Sequence, residues 1–190
     1  KKARRVFLFA KATGLNTGRG LSWGRALLLK SLTLKGVISM AEDTRVFYED
    51  IEEGAEHKST GRTITETDVV SFAGLSGDFN NMHIDEEFAQ KTVFKGRVAH
   101  GLCVLSVASG LWFTMPRLAT VAFRGLEDWR FSRAVKFGDT IHITRTLVEK
   151  REHKRPNMGF LIFEVNVHNQ SDEIVQKGKW VILVQRKEQS

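Results

Sequence analysis

An α+β fold, an antiparallel sheet packed on helices, is predicted from three observations. Helical signals come first along the chain and strand signals come after, with no helical crossover between the strands. Four long segments, roughly 119–132, 140–153, 159–169 and 173–186, are rich in Val, Ile, Thr and aromatic residues, and several alternate in polarity as half-buried strands do. Between the two blocks lies Gly101–Phe113, GLCVLSVASGLWF, with only Ser106, Ser109 and Gly110 as small relief. A helix apolar on nearly every side belongs in an interior, which predicts that the sheet curls around it and wraps it on several sides.

The remaining elements are predicted in chain order. Arg45–Ile51 and His57–Ile64 read as short extended pieces flanking a turn at Glu52-Glu53-Gly54. Thr65 stands three residues before Asp68 and the run VVSFAGLSG, the N-terminal signature of a capped helix, which should stop near Gly74–Gly77. The acidic segment Asp85–Gln90 predicts another short helix. Gly138-Asp139, Pro156-Asn157 and Gln170-Ser171-Asp172 mark turns between strands.

A chain of 190 residues suffices for one substantial core. Its 42% hydrophobic and 27% charged content is that of an ordinary soluble globule. The formal charge of +7 suggests an anionic partner until its distribution is considered: nine of the 29 bases and no acid lie in residues 1–39, leaving 20 bases against 22 acids in 40–190. The folded domain is therefore expected over 40–187 and is mildly acidic, while 1–39 is expected to be a basic leader outside the fold. Upstream or leader sequence, an Arg-rich targeting segment and a basic surface-binding arm are the three readings of that leader. It lacks the interleaved aromatics and duplex-reading motif of a nucleic-acid binder, so no nucleic-acid partner is expected. Lys30 and Lys35 interrupt the most hydrophobic stretch, so no membrane span is expected. Cys103, the only cysteine, has apolar neighbours and reads as a buried small residue in a reducing compartment. The expected location is cytoplasmic, or organellar if 1–39 is a targeting segment.

The chemistry-bearing stretch is Ser76–His83, SGDFNNMH, which places Asp78 five residues before His83. On a continuous helix the two would lie some 140° apart around the axis, so they meet only across a loop, which Gly77, Asn80 and Asn81 favour. A carboxylate and an imidazole around one water form an acid/base pair. The alternative is an aspartate acting only as a turn or cap acceptor. A calcium loop fails because Met82, His83 and Ala89 stand where it needs other residue types. No HExxH, cysteine pair, Walker loop or GxGxxG is present, and no metal is expected. Val98-Ala99-His100-Gly101 opens the apolar helix, where a glycine N–H at the positive end of the dipole offers an oxyanion site.

The run Phe72–Gly110 resembles the MaoC-like dehydratases, a family of the hot-dog fold that includes the (R)-specific enoyl-CoA hydratases, whose pattern is S-G-D-x-N-P-x-H and then [IV]-x-H-G. FGDTI at Phe137–Ile141 also resembles the family's strand-opening turn, and the likeness extends over about 45–187. The resemblance implies a hydro-lyase acting on a coenzyme A thioester without a cofactor. Asp78 and His83 would activate the water, and the Gly101 N–H would hold the enolate. Asn80 would brace the loop, and His100 and Ser109 would support the site. It also implies a homodimer or higher homo-oligomer. Lys91, Lys95 and Arg97 flank the motif and could meet the phosphates of coenzyme A. Asn81 departs from the family by replacing proline. A hot-dog thioesterase and a non-catalytic acyl-thioester binding module are the competing readings.

Overall fold

The structure is a computed structural model and describes residues 44–188; the expected leader, residues 1–39, lies outside the described residues. Thr65 and Asp68 form the anticipated capping box, so α1 (Glu66–Ser76) starts where the sequence signature places it. It ends on Gly77, whose left-handed φ of 78° costs a glycine little. Two short helices come next: α2 (Asn81–Ile84), capped by the Asn80 side chain, and α3 (Glu86–Gln90), capped by Asp85. The apolar stretch becomes α4 (Gly101–Leu111), continued by a 3₁₀ turn at Trp112–Thr114.

The sheet is entirely antiparallel. Its four long strands are β3 (Thr120–Phe131), β4 (Thr140–Glu152), β5 (Met158–His168) and β6 (Ile174–Gln185), each within one or two residues of its predicted bounds. They pair in the order β4-β5-β6-β3, while the short pieces β1 (Glu56–Lys58) and β2 (Arg62–Thr63) both pair with β4. The first expected extended piece is corrected: only Val46 bridges, to Leu118, and Tyr48–Asp50 is a 3₁₀ turn, because the Asp50 carboxylate accepts the Phe47 N–H and closes the chain locally.

The inner face of the sheet packs on one side of α4. Val104, Val107, Ala108 and Leu111 enter a single core with Ile141, Ile143, Leu147, Leu161, Phe163, Val165 and Ile182. The other side of α4, with Leu102, Ser106, Ser109 and Gly110, stays exposed. The expectation that the helix is wrapped on several sides is therefore met on one side only. Cys103 is buried as expected, and burial raises its thiol pKa.

A buried cation was not foreseen. Arg145 is fully buried on β4; its Nη2 donates to the Pro116 carbonyl at 2.7 Å, and its guanidinium lies 4.2 Å from the Trp112 ring centroid. Burial pushes it down to about 10, so it remains cationic at neutral pH.

Because α1 delivers the chain into SGDFNNMH, its N-terminal cap helps to fix where that segment begins. Thr65→Ala removes one side of the capping box and is expected to cost about 1 kcal/mol, read as a lower urea midpoint at unchanged slope.

Candidate active site

The loop after α1 is built from local hydrogen bonds. Ser76 Oγ donates to the Phe72 carbonyl and accepts the Asp78 N–H, which ties the loop to the last turn of α1. Asp78 Oδ1 accepts the Asn80 N–H at 3.2 Å, and Asn80 Oδ1 accepts the Met82 N–H at 3.1 Å to start α2. Asp78 thus acts as a turn acceptor through one oxygen, leaving the other available. Asn80 is the N-cap of α2.

The second segment is strung beside the first. The Val98 N–H donates to the Met82 carbonyl at 3.2 Å and the Ala99 N–H to the Val135 carbonyl at 2.8 Å. This places His100 against His83 with their rings stacked, centroids 3.7 Å apart. His83 is 7% exposed and His100 3%. His83 Nδ1 lies 2.7 Å from the Val98 carbonyl oxygen, and His100 Nε2 lies 2.9 Å from the Asp78 carbonyl oxygen. A carbonyl can only accept, so these contacts assign the proton to Nδ1 of His83 and to Nε2 of His100 in the neutral rings. His83 Nε2 keeps a lone pair, the atom a general base requires.

One carboxylate oxygen of Asp78 and one ring nitrogen each of His83 and His100 lie within 4.8 Å of one another. A carboxylate and two imidazoles are also a donor set that divalent transition metals accept.

A cavity of about 510 Å³ adjoins this cluster. Its walls include His83, Gly101, Leu102, Phe131, Arg133 and Gln176. Gly101 is the first residue of α4, where an N–H has no intrahelical carbonyl. Its N-cap, His100, makes no side-chain cap, and no acid occupies the first turn. A side chain at Gly101 would force the Phe131 ring to move, since a Cβ would stand 2.7 Å from Phe131 Cδ1. Asp78 is 54% exposed at its side chain and is not part of the cavity wall. The structure thus brings Asp78 to His83 and His100, and lines one cavity with both His83 and Gly101.

The other anticipated residues do not share this cavity. Ser109 is eight residues along α4 from Gly101, roughly 12 Å down the axis and some 80° around it. It faces a separate apolar hollow of about 400 Å³ with Trp112, Phe123 and Trp180. Lys91 and Lys95 are exposed and outside the cavity wall. Arg97 is engaged elsewhere: Nη1 pairs with Glu66 at 2.7 Å, Nε with Glu86 at 3.2 Å, and its guanidinium covers Phe137. These contacts hold it in a surface network. The basic side chain that does line the cavity is Arg133, which sequence reasoning missed together with Gln176 and Phe131. Gln176 left a faint signal, a polar residue beside Val175 where β6 should alternate.

Among known protein families, the chain matches the model of the MaoC-like domain over residues 49–162. It is 38% identical over 102 residues to the (R)-specific enoyl-CoA hydratase of Rhodospirillum rubrum, covering 53% of this chain and 69% of that one. It is 30% identical over 153 residues to the 3-hydroxybutyryl-CoA dehydratase of Methylorubrum extorquens, covering 80% of this chain and 92% of that one. The chain spans about a third of the MaoC protein of Klebsiella aerogenes, to which it is 38% identical over 112 residues (58% of this chain). In three dimensions it is similar to the MaoC-like dehydratase structure from Rhodospirillum rubrum, with TM-score 0.66, 25% identity, and coverage of 76% of this chain and 99% of that one.

The position where the family pattern has proline admits a direct check. Asn81 is the first residue of α2, and Asn80 before it sits at φ −57°, ψ 134°, a polyproline-like conformation outside the helical region that a following proline disfavours. Asn81→Pro is expected to stabilise the protein by about 0.4–1 kcal/mol through the unfolded chain, read as a raised urea midpoint.

Proposed function

This chain belongs to the MaoC-like domain family, and we propose that it is a hydro-lyase adding water reversibly across the double bond of a 2-enoyl-CoA to give the 3-hydroxyacyl-CoA. The observation that carries this reading is the convergence of the Asp78 carboxylate and the His83 imidazole beside a cavity that the uncapped N-terminus of α4 also lines.

The chemistry is set by those groups. Asp78 and His83 hold a water and take one of its protons as its oxygen bonds to C3. The C2–C3 π electrons move toward the thioester, whose oxygen gains enolate charge. The Gly101 N–H donates to that oxygen in a direction fixed by the helix, so no reorganisation is needed as charge develops. The enolate collapses as C2 takes a proton from the Asp78/His83 pair, and the two additions fall on one face because both are served from one side of the cavity. His100 positions the pair: it holds the Asp78 main chain and backs the His83 ring. The thioester is the electron sink, so the reaction uses no cofactor. Arg133, exposed on the cavity wall and held by a single ion pair to Glu173 at 3.5 Å where Arg97 has two closer ones, is the cation we assign to the phosphates of coenzyme A.

We also propose a homodimer. β3 is a sheet edge, and Leu102, Phe113, Phe123, Leu126 and Phe131 are exposed beside the uncovered side of α4. A second copy would cover that apolar surface and pair the open edge.

Asp78→Asn and His83→Ala should each lower hydration of crotonyl-CoA at least about a hundredfold with circular dichroism unchanged. Near-native turnover in either variant overturns the assigned roles, and release of free thiol from acyl-CoA in place of hydration would favour a thioesterase. The double variant Phe113→Asp, Phe123→Asp should weaken self-association at least about tenfold in sedimentation velocity; unchanged association would place the interface elsewhere.

A further inference from the structure

Gln176 lies in the wall of the same cavity and is 2% exposed, although it sits on a strand that is otherwise apolar toward the core. Its amide is held from both sides. Trp129 Nε1 donates to Gln176 Oε1 at 3.2 Å, and Gln176 Nε2 donates to the Gly101 carbonyl at 2.9 Å. The indole is only a donor and the carbonyl only an acceptor, so the orientation of the amide is determined: oxygen toward Trp129, NH₂ toward Gly101. An NH₂ group has two N–H bonds. One is taken by Gly101, and among the described residues no acceptor takes the other.

Three features of the backbone converge on this arrangement. Between the pairs His168–Ile174 and Val167–Gln176, β6 carries one extra residue, so Val175 and Gln176 are buried in succession and the amide is turned inward. Between the pairs Glu127–Lys179 and Arg130–Lys177, β3 carries one extra residue, and Asp128 adopts a left-handed φ of 52° just before Trp129. Gly178 then makes room for the indole, since a Cβ there would stand 2.8 Å from Trp129 Cα and Cε3. Bulges that re-aim a side chain are over-represented beside active sites. Here two adjacent strands each carry one, and both serve the same amide.

We infer that Gln176 is a second catalytic hydrogen-bond donor: its free N–H meets the thioester oxygen together with the Gly101 N–H, and Trp129 is the positioning residue that keeps the amide from turning over. The inference rests on the hydratase reading for the identity of the ligand. An enolate oxygen accepts two hydrogen bonds readily, and one donor from the helix with one from the sheet would grip it from two directions.

The test uses an optical and vibrational probe, a 2,4-hexadienoyl-CoA bound in an Asp78→Asn background so that no water is added. Binding should lower the thioester carbonyl stretching frequency, and Gln176→Met, which keeps length and removes the donor, should cut that shift by about half. In the Asp78-containing protein, Gln176→Met should lower kcat for hydration by roughly a hundredfold while KM changes little, the usual size for losing one oxyanion donor. Trp129→Phe keeps a ring in place and frees the amide to turn; it should give a smaller loss in both readouts, and it serves as the second variant should Gln176→Met fold poorly. An unchanged carbonyl shift in folded Gln176→Met, or in Trp129→Phe should the first variant not fold, overturns the inference. A protein that binds and polarises the thioester through Gln176 yet never hydrates it would overturn the hydratase reading and leave this donor assignment standing.

Discussion

The N-terminus of α4 must be bare for this site to exist, and most of the surrounding structure can be understood as keeping it so. Burying side chains such as Val104, Val107 and Leu111 against the sheet contributes about 1.5–3 kcal/mol for each large aliphatic group, which fixes where the helix points. The ring of Phe131 occupies the space a Cβ of residue 101 would need, so any other residue there would have to displace that ring. Contrast α1, whose N-terminus is occupied by its own Thr65 and Asp68. α4 has no side-chain cap and no acid in its first turn. One helix dipole is satisfied internally, while the other remains open toward a cavity.

The two histidines show how main-chain carbonyls can set the chemistry of side chains. Each ring gives one nitrogen to a carbonyl, of Val98 for His83 and of Asp78 for His100. The first contact leaves His83 with a lone pair at Nε2. The second ties the start of α4 to the loop that carries Asp78, so carboxylate and helix cannot drift apart independently. Aromatic contact continues outward from His100 to Phe72, 5.1 Å away on α1. The Asp78 carboxylate, the His83 imidazole and the helix start are therefore parts of one packed unit, although they come from two separate stretches of chain.

Much of this was legible in the sequence because the signals are local. The Thr65/Asp68 box, the stop at Gly77, the four strands and the Asp78–His83 loop each depend on residues within a few positions of one another. What was not legible depends on partners far along the chain. That Arg97 would bridge Glu66 and Glu86 depends on where α1 and α3 come to rest. The inward turn of Gln176 arises from an extra residue relative to β5, a property of two strands and not of one. The exposed side of α4 misled for a related reason: an apolar helix announces that it will be covered, but not whether its own chain or another supplies the cover.

Arg145 acts on α4 from its opposite end. A fully buried guanidinium is costly, and two of its nitrogens, Nε and Nη1, find no acceptor. It sits where the helix runs out, over Trp112 and bonded to the Pro116 carbonyl, beside the negative end of the dipole. Its charge offsets that end. At the other end the positive pole is left without an internal counter-charge, so the net field along α4 favours negative charge arriving at Gly101. In the proposed reaction a developing enolate is such a charge, whereas the neutral thioester carbonyl is not, and a field of that kind favours the transition state over the bound ground state. The unexpected burial of a cation and the expected bareness of a glycine are thus two ends of one electrostatic arrangement, with the core between them holding both in place.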